Sequence, residues 1–281
     1  MASHRISSLT PNVVEPAQLL DTLSDNRLFI DVRLGEPDDE LRSYRDAHIH
    51  GAVHAQIRDV FAATPTAHSG NLPLPAVADL QRQLRAWGVD RQTEIVVYGP
   101  SPALAARGWW VLRWAGLDRV RLLDGGLKAW AAQGGAVAQG DFVPAPRATG
   151  AELVLAPGHL PSIEVEAVER LGPDTCLIDA RDENSWLAGA IPRAANLPAA
   201  ELWTPSSTLR TVDEIRALYA RAGALAGQEV VVYCGGGVLS ALSVLTLSAL
   251  GTTPRLFVGS WSEWNKSPER MARSAAERVG A

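Results

Sequence analysis

The feature that most constrains the fold of this 281-residue chain is an internal repeat. Four short blocks of sequence occur twice and in the same order. The matching pairs are residues 28–33 with 176–181, 47–52 with 189–194, 94–99 with 229–234, and 123–130 with 257–264. Self-similarity of this kind indicates a duplicated structural unit, and the chain length suits two domains of roughly 150 residues. We therefore predict two copies of one fold.

Short apolar runs alternate with amphipathic stretches within each copy. Residues 95–98 and 230–233 are continuous and rich in valine, which is typical of strands buried on both faces of a parallel sheet. Residues 103–114 have the pattern of a helix between strands. This alternation predicts an α/β fold, with a parallel sheet flanked by helices in each copy. Residues 131–161 are rich in Gly, Ala and Pro, and the predicted organisation is a first domain 1–140, a linker 141–161 and a second domain 162–281.

Composition narrows the function classes. The chain has 26 basic and 31 acidic residues and a net charge of -5, so a nucleic-acid partner, which requires a basic face, is not expected. No window contains the ~20 apolar residues that cross a membrane, and residues 1–10 lack the apolar core of a secretory signal. Two cysteines fit a reducing compartment rather than a disulfide scaffold. A cytoplasmic protein is expected.

Cys234 is the most informative residue for chemistry. It ends the apolar run 230–233 and precedes three glycines, 235–237, and an apolar helical stretch, 238–250. The carboxyl end of a strand is where α/β sheets place ligands. Glycines allow several N–H groups to converge on one point, and a helix N-terminus stabilises an anion such as a thiolate. We predict that Cys234 is a nucleophile.

The other cysteine and the other copy lack this arrangement. Cys176 lies inside an apolar strand, with nothing nearby to activate it, and is predicted to pack in the core. Gly99 stands in the first copy where Cys234 stands in the second, so the first copy is predicted to be catalytically degenerate.

A histidine cluster raises a metal hypothesis. His48, His50 and His54 follow one another closely, but no cysteine lies nearby, and the second copy has Ala190, Pro192 and Asn196 at these places. We therefore predict no metal site, and a polar role for these histidines near a cleft between the domains.

These blocks together resemble the rhodanese family. The residues that carry the resemblance are Asp31-x-Arg33 and Asp179-x-Arg181 with the degraded G-H-I-P-G-A motifs that follow them, and a strand-end cysteine loop in only the second of two copies. The chain is similar over nearly its whole length to the tandem-domain thiosulfate and 3-mercaptopyruvate sulfurtransferases. The resemblance implies two rhodanese-like domains and an enzyme without a cofactor.

The resemblance also implies a persulfide relay. Cys234 would take a sulfane sulfur from a small anionic donor, thiosulfate or 3-mercaptopyruvate, and pass it to a thiol or to cyanide. The persulfide would be cradled by the backbone N–H groups of the loop, and Asp179 would support that loop. The loop residues are Gly235, Gly236, Gly237, Val238, Leu239 and Ser240.

The chain departs from the family at the substrate contacts. The family's substrate-binding arginine is replaced by Ser185, and the serine of mercaptopyruvate enzymes is replaced by Gly236. Arg193 is the residue that we expect to replace the lost anion contact. The loop carries no cation, which places it closer to the neutral loops of mercaptopyruvate-preferring members than to thiosulfate-preferring ones.

Two alternatives remain open. The chain could be a non-catalytic rhodanese-fold binding module, or a persulfide carrier that has lost efficient turnover. A cysteine-dependent phosphatase is disfavoured, because such loops end in an arginine that binds phosphate, and Ser240 stands at that position here.

Overall fold

The computed structural model describes residues 4–8, 10–22, 24, 26–144, 153–224 and 227–279. The first half contains β1 (Val13–Val14), α1 (Pro16–Leu20), β2 (Arg27–Arg33), α2 (Pro37–Asp46), β3 (His48–Ile49), β4 (Ala52–Gln56), α3 (Ile57–Val60), α4 (Val77–Ala86), β5 (Glu94–Tyr98), α5 (Pro102–Trp114), β6 (Val120–Leu123), α6 (Gly126–Ala132) and β7 (Val137–Ala138). The second half contains α7 (Val165–Val168), β8 (Cys176–Asp179), α8 (Glu183–Ala188), β9 (Ala195–Asn196), α9 (Val212–Arg221), β10 (Val230–Tyr233), α10 (Leu239–Ala249), β11 (Arg255–Leu256), α11 (Ser260–Trp264) and α12 (Pro268–Val279). Two short 3₁₀ helices span Ile6–Ser8 and Ala199–Leu202.

The two halves contain the same parallel sheet. The strand order is β1-β6-β5-β2-β4 in the first half and β11-β10-β8-β9 in the second. A parallel bridge from Ser162 to Leu256 adds to the second sheet the position that β1 occupies in the first. The predicted duplication and the α/β fold class are therefore confirmed. The strands form where expected, because their continuous apolar runs are buried on both faces.

Helices α5 and α10 follow the central strands β5 and β10 and pack against each other across the boundary between the halves. Both are buried along most of their length: Trp109 and Trp110 lie in the core at 1% and 0% exposure, and nine of the eleven residues of α10 are buried. This contact joins the two halves through one shared hydrophobic cluster.

The predicted linker is only partly described, since residues 145–152 lie outside the described residues. The part that follows packs on the first domain. Arg85 donates to the carbonyl of Leu153 at 2.8 Å, and the N–H of Ala156 donates to the carbonyl of Ala115 at 3.0 Å. The chain therefore runs along the first domain before the second sheet begins.

Candidate active site

Cys234 lies at the carboxyl end of β10, in the middle of the second sheet. β10 pairs in parallel with β8 on one side and β11 on the other. The side chain is 1% exposed. The three glycines and Val238 lead from the strand directly into α10, so the sulfur lies at the N-terminus of an eleven-residue helix.

Two hydrogen-bond donors point at the sulfur. The N–H of Gly237 lies 3.2 Å from Sγ, and the hydroxyl of Ser240, in the first turn of α10, lies 3.3 Å from it. Gly237 has a φ of 77°, a conformation that costs a residue with a side chain 1 kcal/mol or more. These donors and the helix dipole favour negative charge at Sγ. Gly237 and Ser240 thus lie next to Sγ, and their role in holding a persulfide stays a prediction.

Helix α11 holds the backbone of the loop from the other side. The N–H groups of Trp261 and Ser262 donate to the carbonyls of Cys234 and Gly235 at 2.9 and 3.0 Å. The N–H of Cys234 donates to Oγ of Ser260 at 3.2 Å. Ser260 is fully buried and has a φ of 55°, which is unusual for a residue with a side chain. No local pattern predicts this contact, because Ser260 follows the cysteine by 26 positions.

The first domain closes the site. The N–H of Asn71 donates to Oγ of Ser262 at 2.9 Å, and Leu72 lies against Gly236. Arg107, on α5, is fully buried and donates to the carbonyls of Gly237, Phe61 and Leu72. The sequence signal that could have marked Arg107 is its position in the apolar stretch 103–114, two residues before a pair of tryptophans, since an arginine in an apolar helix needs partners.

Asp179 reaches the loop indirectly. Its carboxylate pairs with Arg181, and the hydroxyl of Tyr233, the residue before Cys234, also interacts with it. Burial, followed by the charge of Asp179, holds the pKa of Tyr233 well above its usual value. Arg181 lies 4.8 Å from the ring of Trp261 on α11. The supporting role of Asp179 therefore stays a prediction, with Tyr233 as its route to the loop.

Arg193 does not lie at this site. It precedes β9, and its guanidinium donates to the carbonyls of Leu171 and Gly172, which precede β8, at 2.9 and 3.0 Å. These are the amino ends of parallel strands, whereas Cys234 is at a carboxyl end. The expectation that Arg193 replaces the lost anion contact is therefore wrong. Ser185 is bound locally, with its hydroxyl 2.7 Å from Asp182 at the start of α8.

Cys176 packs in the core, as expected. It is 8% exposed, its Sγ lies 3.7 Å from the carbonyl of Ala222, and burial raises the pKa of its thiol. It therefore lacks the donors that surround Cys234.

The equivalent place in the first copy is closed. A side chain at Gly99 would collide with the carbonyl of Val32, and Ser207 of the second domain covers the loop. The space left there is about 10 Å³, the lower limit for one water molecule. Nearby, burial raises the pKa of Asp124 to about 6, although it accepts a hydrogen bond from the N–H of Leu209.

Two of the three histidines pack on one tyrosine. The rings of His48 and His54 lie 4.1 and 5.2 Å from that of Tyr44, and burial lowers the pKa of His54. Across the described residues, no three His, Cys, Asp or Glu side chains are grouped closely enough to hold a metal ion. Within the same part of the chain, no helix is long and apolar enough to cross a membrane.

Comparisons with known proteins identify the family and the fold. The rhodanese-like domain model matches twice, at residues 15–133 and 165–267. SseB of Mycobacterium tuberculosis is 34% identical over 253 residues, covering 85% of this chain and 87% of SseB. A protein of Pseudomonas aeruginosa is 35% identical over 280 residues, covering 90% and 94%. The first is named a putative thiosulfate sulfurtransferase, and the second a probable 3-mercaptopyruvate sulfurtransferase. The solved structure of SseA from Escherichia coli, described as a 3-mercaptopyruvate sulfotransferase, is 28% identical with a TM-score of 0.77, covering 90% of this chain and all of SseA.

Two rhodanese-like domains joined in tandem define the class, and the chain belongs to the rhodanese family. Within that family it is an enzyme of the sulfurtransferase group, as the sequence predicted.

Proposed function

We propose that this enzyme transfers a sulfane sulfur through a persulfide on Cys234. The observation that carries the proposal is the pair of donors at Sγ, the N–H of Gly237 and the hydroxyl of Ser240, at the start of α10. This arrangement stabilises a thiolate before the reaction, and it can hold the negative charge of a persulfide afterwards.

Both half-reactions follow from thiolate chemistry. With thiosulfate, Sγ attacks the outer sulfur, the S–S bond of the donor breaks, and sulfite leaves with the electron pair. With 3-mercaptopyruvate, the C–S bond breaks, and the electron pair stays on carbon, which takes a proton to give pyruvate. Cyanide or a thiolate then attacks the outer sulfur of the persulfide, and Cys234 leaves as a thiolate.

The loop favours a small donor. Residues 235–240 carry no charged side chain, so within the loop an anionic group can be held only by backbone N–H groups and the hydroxyl of Ser240. A Cβ atom at Gly236 would lie in van der Waals contact with Leu72 and Asn71, so the first domain lies close to this part of the loop. Thiosulfate and 3-mercaptopyruvate, the donors in the names of the relatives, both fit this description.

The test is the intact mass after incubation with each donor. We expect one added sulfur on the wild type and on Cys176→Ala, and none on Cys234→Ala. Cys176→Ala is the matched control, because it removes the other thiol of the same domain. Thiocyanate or thiol persulfide formed on addition of an acceptor completes the assay, and the faster donor identifies the substrate.

Two results would count against the proposal. No added sulfur with either donor would exclude the persulfide. An added sulfur that neither cyanide nor thiols remove would instead favour the persulfide carrier.

A further inference from the structure

One fully buried arginine of the first domain contacts the loop that carries Cys234. Arg107 lies on α5, is 0% exposed, and donates through Nη2 to the carbonyls of Phe61 and Leu72 at 3.0 and 2.9 Å. Its Nη1 lies 3.4 Å from the carbonyl of Gly237. Gly237 is the residue whose N–H donates to Sγ of Cys234. One glycine thus connects the guanidinium of the first domain to the sulfur of the second.

Arg107 differs from the other buried arginines in having no carboxylate partner. Arg33 and Arg181 pair with Asp31 and Asp179. Around Arg107, the described part of the chain provides only carbonyl oxygens, and its Nε has no hydrogen-bond partner. A buried charge without a counter-ion is costly. Burial accordingly lowers the pKa of Arg107 to about 10, and the one opposing charge is that of Cys234.

We propose that Arg107 is a positioning residue for sulfur transfer: it fixes Gly237 and supplies, from the catalytically degenerate domain, the positive charge that the Cys234 loop lacks. The proposal rests on the proposed function in one respect, the identity of Cys234 as the nucleophile. It also gives the first domain a part in the reaction, because the charge reaches the sulfur only across the contact between α5 and α10.

Other charged groups near the loop are engaged elsewhere. Helix α10 contains no charged residue. On α11, the charged neighbours of the Glu263 carboxylate are Glu164, Glu166, Arg270 and Lys266. At the end of β8, Asp179 and Arg181 neutralise each other. The covering segment 61–72 carries His68, which is exposed. Arg107 is the cation among these groups that acts on Cys234 without a carboxylate of its own.

The test measures the alkylation rate of Cys234 by iodoacetamide as a function of pH, in a Cys176→Ala background. Arg107→Met removes the charge and keeps the length, whereas Arg107→Lys keeps the charge. We expect Arg107→Met to alkylate about tenfold more slowly at pH 7 and to need about one pH unit more for half its maximal rate. Arg107→Lys should restore the pH profile to within about threefold of the background rate. A purely structural role would slow alkylation without moving the pH of half-maximal rate, because lost hydrogen bonds to the carbonyls do not change the charge near the sulfur.

An Arg107→Met variant that folds and keeps the pH profile of the background would overturn the proposal. If that variant does not fold, Arg107→Gln decides, because glutamine is neutral but still donates hydrogen bonds to carbonyls. It should show the same slower alkylation at pH 7 and the same higher pH of half-maximal rate. An unchanged pH profile in Arg107→Gln would contradict the proposal. Alkylation involves no sulfur donor, so normal alkylation without sulfur transfer would count against the proposed function alone.

Discussion

The two copies of the rhodanese fold differ most at the start of the helix that follows the central strand. In the first copy, Ser101 caps α5 by accepting from the N–H of Leu104, and Pro102 has no N–H to offer. In the second copy, no side chain caps α10 at Val238, and the sulfur of Cys234 takes the donors instead. The connection between strand and helix thus forms a closed turn where a serine caps the helix, and directs donors at a sulfur where a longer glycine loop leads to a helix without a side-chain cap.

The copies agree at another feature, which separates fold from catalysis. Asp31, Arg33 and Tyr98 in the first copy correspond to Asp179, Arg181 and Tyr233 in the second. Each tyrosine hydroxyl accepts from the N–H of an isoleucine, Ile49 or Ile191, at 3.0 Å. Because the copy without a cysteine keeps this network, its first role is to hold the sheet together.

The largest expected effect comes from breaking that network in each copy. Arg181→Met and Arg33→Met each leave a fully buried carboxylate without its guanidinium, which should lower the free energy of unfolding by about 3 to 5 kcal/mol. Urea denaturation measures the loss. Sulfur transfer per folded molecule should survive better in Arg33→Met than in Arg181→Met, because only Arg181 lies next to the reacting loop. Unchanged stability in either variant would contradict the shared role.

A medium effect is expected from Asp124, which has Val258 as its counterpart in the second copy. Its pKa is raised to about 6 in the folded chain, against about 4 when unfolded, so its ionisation opposes folding as the pH rises through this window. Asp124→Asn should therefore gain on the order of 1 to 3 kcal/mol over the wild type at pH 8, and almost none at pH 4. Melting temperatures across pH 4–8 measure this difference. A gain in stability that does not grow with pH would contradict the raised pKa of Asp124 in the folded chain.

The smallest effect should come from a single hydroxyl at the sulfur. Ser240→Ala removes one donor to Sγ, which should cost about 1 to 2 kcal/mol of thiolate stabilisation and slow sulfur transfer about tenfold. Ser243→Ala is the matched control, since Ser243 is buried in the same helix and its hydroxyl has no hydrogen-bond partner among the described residues. Equal rates of sulfur transfer for the two variants would show that the hydroxyl of Ser240 does not contribute to the reaction.

The sequence alone determined the features that depend on neighbours in the chain. The repeat, the buried parallel strands and the position of Cys234 before three glycines and a helix all follow from local pattern, because strand and helix periodicity are properties of short segments. Gly237 and Ser240 could be named as candidates for the same reason, as they lie within six positions of the cysteine.

Only the tertiary structure decided what distant segments bring to that loop. Arg107 precedes Cys234 by 127 positions and Ser260 follows it by 26, and no periodicity encodes either contact. Arg193 was expected at the site from its position in the sequence. It lies instead at the amino ends of the strands, because it precedes a strand that runs parallel to β8. The packing of α5 against α10 places Arg107 of the first domain next to the Cys234 loop. There its buried guanidinium finds the carbonyl oxygens of three separate segments, which a buried charge needs and which the sequence does not show to be close together.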